Sequence, residues 1–366
     1  MKYFLLLLCF VVGKSCWAQS VSLNRSSDYI AIFGDIQYLT NKNYSYIYRH
    51  SLDWISNEYN KGIPFKCVLH TGDVTQKNRE IQWKCFYEET RDLANTIPYF
   101  SMIGDHDYTW EEGVYINDRE STLYNEYLNF PLSEERVVAQ FEDGRMENSV
   151  VKIDIRGEPL YFLILEFGPR EEVVDWAVEY VKAHPDRKFI LLNHEYLEKG
   201  GERRINNLKC IKRFINSSYT TPDQLWERLI KSNNNILCVL CGHVGGLYAL
   251  TIERNDFGRE VPQIQHNIQS STYRYDNWLM LWEFPTYSDS VNVSIVNTNT
   301  LSYYENNKIL FKFRYKNSKG NELGLIEVRN SDKNAIRKQY NLRGMNYSTH
   351  RRGDVFIQDN KKYVSY

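Results

Sequence analysis

Five apolar runs, each closed by a short polar cluster, constrain this chain more than any other feature. The runs are Tyr29 to Phe33, Phe65 to Thr71, Tyr99 to Ile103, Phe189 to Leu192 and Ile236 to Cys241. Apolar stretches of this length, without alternation, are the signature of strands buried on both faces. The clusters that close them are Gly34-Asp35-Ile36-Gln37, Gly72-Asp73-Val74-Thr75, Gly104-Asp105-His106-Asp107, Asn193-His194-Glu195 and Gly242-His243-Val244-Gly245. In open α/β sheets the chemistry sits in the crevice beyond the carboxyl ends of such strands. Asp35, Asp73, Asp105, His106, His194 and His243 are therefore expected to converge there. Clustered carboxylates repel one another unless a cation neutralises them. The pattern points to one or two divalent metals and to metal-assisted hydrolysis.

Segments of helical period lie between these strands. Tyr46 to Tyr59 places Ile47, Leu52, Ile55 and Tyr59 near one face, and Glu80 to Ala94 consists of good helix formers. Glu172 to Ala183 carries a stripe of Val173, Val174, Ala177, Val178 and Val181. Thr221-Pro222 opens a further helix, with a capping hydroxyl and a proline at the first helical position. Val150 to Ile155 and Leu160 to Phe167 flank Arg156-Gly157-Glu158-Pro159 and read as a hairpin. Strand-like runs follow near Val261 to Ile268, Trp278 to Phe284 and Val291 to Val296. Two mixed sheets packed face to face, with helices outside, accommodate this order. One main α/β domain is expected over 28–298. Residues 299–366, with strand-like Ile309 to Arg314 and Gly324 to Val328, read as a β-rich extension or as the last edge strands.

The chain has 366 residues and a formal net charge of −1, from 45 basic and 46 acidic side chains. That balance offers no basic stripe for nucleic acid and no acidic tail. The first eighteen residues read as an export signal: Lys2, the apolar core Phe4 to Val12, and a small-x-small site at Cys16-Trp17-Ala18. The apolar core is too short to span a bilayer, so an extracytoplasmic protein, periplasmic or secreted, is expected. A lipid anchor on Cys16 is the alternative, disfavoured by Lys14. Beyond residue 18 remain Cys67, Cys85, Cys210, Cys238 and Cys241, an odd set that excludes a disulfide framework. A single Cys85–Cys210 bridge stays open. Cys238-x-x-Cys241 has a metal-knuckle spacing but lies within a strand.

Taken in order, the Asp-x-Gln, Gly-Asp, Gly-Asp-His-Asp, strand-end His and Gly-His clusters resemble the calcineurin-like metallophosphoesterases. The likeness runs from about Tyr29 to Val296, and Phe141 to Asn148, Leu165 to Arg170 and Leu192 to His194 resemble a secreted bacterial branch. The resemblance implies a four-layer α-β-β-α sandwich and hydrolysis of a phosphomonoester or phosphodiester by a metal-activated hydroxide. It places Asp35 and Gln37 on a first ion, Asp73 as the bridge, and Asp105, His194 and His243 on the second. His106 is the implied general acid, oriented by Asp107. Arg170 is either a receiver of a phosphate oxygen or a member of an ion pair. The substrate is expected to be a small phosphoester, walled by Tyr108 to Asn148 and Glu195 to Tyr219.

Three departures from the family pattern concern the metals. Gln37 stands where a histidine is usual, Gly245 where a second Gly-His-x-His histidine is usual, and Asp105 where an asparagine is usual. The second site keeps two histidines and two carboxylates, a set suited to Mn, Fe or Zn. The first keeps Asp35, Asp73 and a neutral amide, a weaker set that also suits Mg or Ca. One firm and one weaker site are expected. The same departures support a second reading: a degenerate member that binds a phosphorylated ligand or glycan without turnover. A serine hydrolase is excluded by the lack of a Gly-x-Ser-x-Gly elbow.

Overall fold

A computed structural model describes residues 20–108, 119–120, 122–204 and 218–315, together with short strands elsewhere. The segment read as an export signal, Cys210 and most of the tail lie outside the described residues. Two mixed sheets of eight strands each form the centre of the protein. In the first, Asp28–Phe33, Phe65–His70 and Tyr99–Ser101 run parallel to one another. Trp278–Phe284 adds antiparallel to Asp28–Phe33, and Ser290–Asn297 pairs antiparallel beyond it. Ser302–Tyr303 and Phe311–Arg314 both pair with Ser290–Asn297, so the start of the tail lies on this sheet. In the second sheet, Glu158–Leu165, Phe189–Asn193, Ile236–Cys241 and Glu260–His266 are parallel neighbours. The hairpin Ser149–Ile155/Glu158–Leu165 turns through Arg156 and Gly157, both at positive φ. That two-residue geometry matches the twist of the paired strands.

The layers follow from the two-residue period of each strand. Phe162, Ile164, Ile190, Leu192, Cys238 and Leu240 point into the main core, shared with the first sheet. Their neighbours Leu163, Leu165, Phe189, Leu191, Val239 and Cys241 point the other way. There they meet Val173, Val174, Ala177 and Val181 of the helix Glu171–Ala183 and Leu225 and Leu229 of the segment after Thr221. On the far side, helices Ser45–Asn60 and Glu80–Ala94 bury Tyr48, Leu52, Ile55, Trp83 and Phe86 against the first sheet. The result is the α-β-β-α sandwich expected from the sequence. Cys238 and Cys241 fall on opposite faces of one strand, in different cores, so the pair cannot close on one metal. Cys67, Cys85, Cys238 and Cys241 are all buried free thiols. No described helix is long and apolar enough to cross a membrane.

Candidate metal centre

The parallel strands of both sheets end at the same edge. Asp35, Asp73 and Asp105 follow three strands of the first sheet, and His194 and His243 follow two of the second. Ligand atoms of Asp73, Asp105, His194 and His243 lie within 4.8 Å of one another. His194 Nε2 is 3.3 Å from Asp73 Oδ1 and 3.7 Å from Asp105 Oδ1, and His243 Nδ1 is 3.1 Å from Asp105 Oδ1. His194 Nδ1 donates to the Thr71 carbonyl at 2.6 Å. That bond keeps a proton on Nδ1 and turns Nε2 into the cluster. Asp105 Oδ1 and His194 Nε2 are buried and receive no hydrogen bond. Buried acceptors in that condition, at this spacing, fit a divalent cation.

Backbone geometry brings the groups this close. Asp73 and His243 both sit at positive φ, 54° and 69°, a region side-chain-bearing residues seldom adopt outside functional sites. A Cβ at Gly104 would overlap the backbone and carboxylate of Asp73, so no other residue fits there without displacing a ligand.

The ionisation of the cluster reflects its crowding. Burial raises the Asp35 carboxyl to about 7, with Asp73 adding to the shift and His194 opposing it. Burial also acts against ionised Asp105, but His243 and His106 outweigh it and hold the carboxyl well below its usual range. For His194 burial favours the neutral ring, yet the carboxylates of Asp73 and Asp35 drive its pKa well above normal. Such mutual dependence is expected of ligands drawn together for a cation.

The remaining residues singled out in the sequence divide into two groups. Asp35 is buried beside the cluster, accepting hydrogen bonds from Thr71 Oγ1 at 2.9 Å, His243 N at 3.0 Å and Asn267 Nδ2 at 2.6 Å. Gln37 donates from Nε2 to Asp73 Oδ2 at 3.0 Å. His106 follows Asp105 directly, and its backbone N–H donates to Asp73 Oδ1 at 3.0 Å. Its Nδ1 meets the Gln76 carbonyl at 3.0 Å, which places a proton on Nδ1. Burial opposes charging of this ring, but Asp73 and Asp105 together hold its pKa above the ordinary value.

Asp107 differs from the role the resemblance implies. Its carboxylate is turned onto backbone donors: Thr75 N at 2.8 Å, Gly104 N at 3.0 Å and Val74 N at 3.2 Å, with the Thr75 hydroxyl at 3.0 Å. It ties the loop after the second strand to the loop after the third, and the Gln76 carbonyl takes the ring of His106. Arg170 precedes the helix Glu171–Ala183 and lies in an ion-pair network. Its guanidinium meets Glu166 at 2.9 Å and Glu142 at 3.2 Å and covers the Phe141 ring.

Four supporting residues were not assigned from the sequence. Glu195 is buried, and its Oε1 lies 3.5 Å from His243 Nε2, on the side of the ring away from Asp105. Arg204 pairs with the same carboxylate. Asn267, from the end of the strand Glu260–His266, holds Asp35. Phe167 lies against both His194 and His243, with ring centroids 5.9 and 5.8 Å away, and forms an apolar wall. Glu195 stood in a quoted cluster, but its partner comes from a different strand and carries no local signal.

The calcineurin-like phosphoesterase family profile matches residues 29–249, well over half of the chain. The chain belongs to that family of phosphoric ester hydrolases. It is similar to the uncharacterized protein YvnB of Bacillus subtilis, at 27% identity over 271 residues. That match covers 71% of this chain and 19% of YvnB, so the chain spans about a fifth of its relative's length. Among solved structures, it is similar to a 5'-nucleotidase from Candida albicans at 10% identity and a TM-score of 0.40. The superposition covers 78% of this chain and 54% of that one.

Proposed function

We propose that this chain hydrolyses a phosphomonoester or phosphodiester at the Asp73, Asp105, His194 and His243 centre, with His106 as the general acid. The observation that carries the reading is the convergence of those four ligands from two sheets, with His106 adjoining Asp105. Two imidazoles and two carboxylates suit Zn, Fe or Mn. Bound there, such an ion supplies Lewis acidity and lowers the pKa of a water.

The protein's own groups divide the remaining work. With Nδ1–H committed to Gln76, His106 titrates at Nε2, the nitrogen that carries a proton to a leaving alkoxide. Asp73 and Asp105 favour that proton's presence before transfer. Glu195 steadies His243, while Phe167 limits water on the histidine side of the centre. The basic start, apolar core and small-x-small site of the first eighteen residues support activity outside the cytoplasm. N-terminal sequencing of the protein recovered from that compartment should begin after Ala18.

Hydrolysis of p-nitrophenyl phosphate and bis-p-nitrophenyl phosphate by metal-stripped protein, refilled with Mn, Zn or Fe, tests the activity. Turnover restored by metal supports the proposal and separates monoester from diester preference. Full metal occupancy without cleavage of any phosphoester would favour a binding protein instead.

A further inference from the structure

The two halves of the acidic cluster are in different states, and the difference points to a centre built for a single ion. On the His194 side, buried Asp105 Oδ1 faces two imidazole nitrogens, His243 Nδ1 at 3.1 Å and His194 Nε2 at 3.7 Å, groups that give up a proton when they bind a cation. On the Asp35 side, the carboxylate oxygens are turned onto hydrogens of the protein itself. Asp35 Oδ1 accepts from Thr71 Oγ1, while Oδ2 accepts from His243 N and Asn267 Nδ2. Asp73 Oδ2 accepts from Gln37 Nε2 at 3.0 Å. The atom there without a hydrogen-bond partner is Gln37 Oε1, a neutral amide oxygen.

Asp73 Oδ1 also accepts one N–H, from His106, yet still faces His194 Nε2 at 3.3 Å, whereas the Asp35 carboxylate is held by three donors. A second cation bridged by Asp73 would have to replace the Gln37 bond and draw Asp35 away from three donors. Gly245 brings no side chain to compensate, although a Cβ there would meet nothing nearer than Ser270 Cβ at 3.7 Å.

We infer that the centre is mononuclear: Asp73, Asp105, His194 and His243 hold one divalent ion, and the Gln37 amide takes the place of a second. This rests on the proposed reading of the site as a metal centre. Gln37 is a positioning residue in this arrangement. Its amide hydrogen restrains Asp73 Oδ2, while Oδ1, which accepts from His106 N at 3.0 Å, faces His194.

Metal content and Mn(II) electron paramagnetic resonance of the stripped and refilled full chain test this, with Gln37→Glu beside the wild type. The substitution keeps the shape but replaces the amide donor with a carboxylate facing Asp73, a pair that a shared proton or a cation must neutralise. The wild type is expected to bind one ion per chain, with the spectrum of an isolated Mn(II). Gln37→Glu, with a wild-type melting profile, is expected to bind two and to show exchange coupling. Two ions or a coupled spectrum in the wild type would overturn the inference while leaving the metal-centre reading intact. A folded Gln37→Glu protein that stays at one ion would overturn the role given to Gln37. No bound ion in the wild type would end both readings.

Discussion

Asp107→Asn separates an anchoring role from an acid-orienting one. The buried Asp107 carboxylate accepts four hydrogen bonds, between 2.8 and 3.2 Å, from Val74, Thr75 and Gly104. An asparagine keeps one acceptor oxygen and turns an NH₂ group toward the donors that the other oxygen held. Burial raises the Asp107 carboxyl to about 7, so the comparison belongs above that pH, where hydrogen bonds to the ionised group contribute about 1.5–3 kcal/mol each and a buried donor left unpaired adds to the loss. Losing two such bonds is expected to cost roughly 3–5 kcal/mol, with strict additivity not assumed. At about 2 °C for each kcal/mol in a domain of this size, Tm should fall by roughly 6–10 °C. Differential scanning calorimetry on metal-loaded protein measures this, with His106→Gln as the comparison. His106→Gln leaves the four Asp107 bonds in place and should lower Tm by less than Asp107→Asn does. An Asp107→Asn protein with wild-type Tm and a defect confined to leaving-group protonation would refute this reasoning.

Four further outcomes are expected. Glu195→Gln should weaken metal binding by about 10–100-fold in chelator competition, because the carboxylate beside His243 Nε2 supports the ligand; unchanged affinity would remove Glu195 from the site. Gly104→Ala should lower stability by about 1–3 kcal/mol in denaturant titration, since the added carbon overlaps Asp73. Gly144→Ala, at φ +74° with nothing within 4 Å, should cost about 1 kcal/mol or less. Burial lowers the folded pKa of His266 to about 4, whereas the unfolded chain takes up that proton below about 6.5. The unfolded state then holds more protons, so this contribution is complete above about pH 6.5 and is lost as pH falls toward 4. His266→Asn, which can keep the bond to the Leu247 carbonyl, should lose less stability than the wild type between pH 7 and 5, by about 2 kcal/mol.

The strand ends were legible because unbroken apolar runs and the polar residues that close them are local features. Tyr29 to Phe33 and Phe65 to Thr71 pair as parallel neighbours, and Asp35 and Asp73 follow them. The four helical segments were legible through apolar stripes in two, through helix-forming residues in Glu80 to Ala94 and, after Thr221, through the cap. What the sequence did not carry was the partner of each polar group. Asp107 is adjacent to His106, which suggested an orienting pair, yet its carboxylate bonds residues 32 and 33 positions earlier. Arg170 meets Glu142 across 28 residues, a contact set by how the loop at Glu142 packs near the helix start. Glu195 and Asn267 act on residues of other strands, and only the assembled sheet edge brings them together. The Gln37 substitution was visible as a departure, but the direction of its amide toward Asp73 required three dimensions.

The most direct test of the central claim compares wild-type and His106→Ala turnover on an alkyl phosphate and on p-nitrophenyl phosphate at equal metal content. If His106 protonates the leaving oxygen, the variant should lose about 10²–10⁴-fold on the alkyl ester. It should lose far less on the p-nitrophenyl ester, whose phenolate departs without a proton. Equal losses on both esters, or no loss on the alkyl ester, would contradict His106 as the acid.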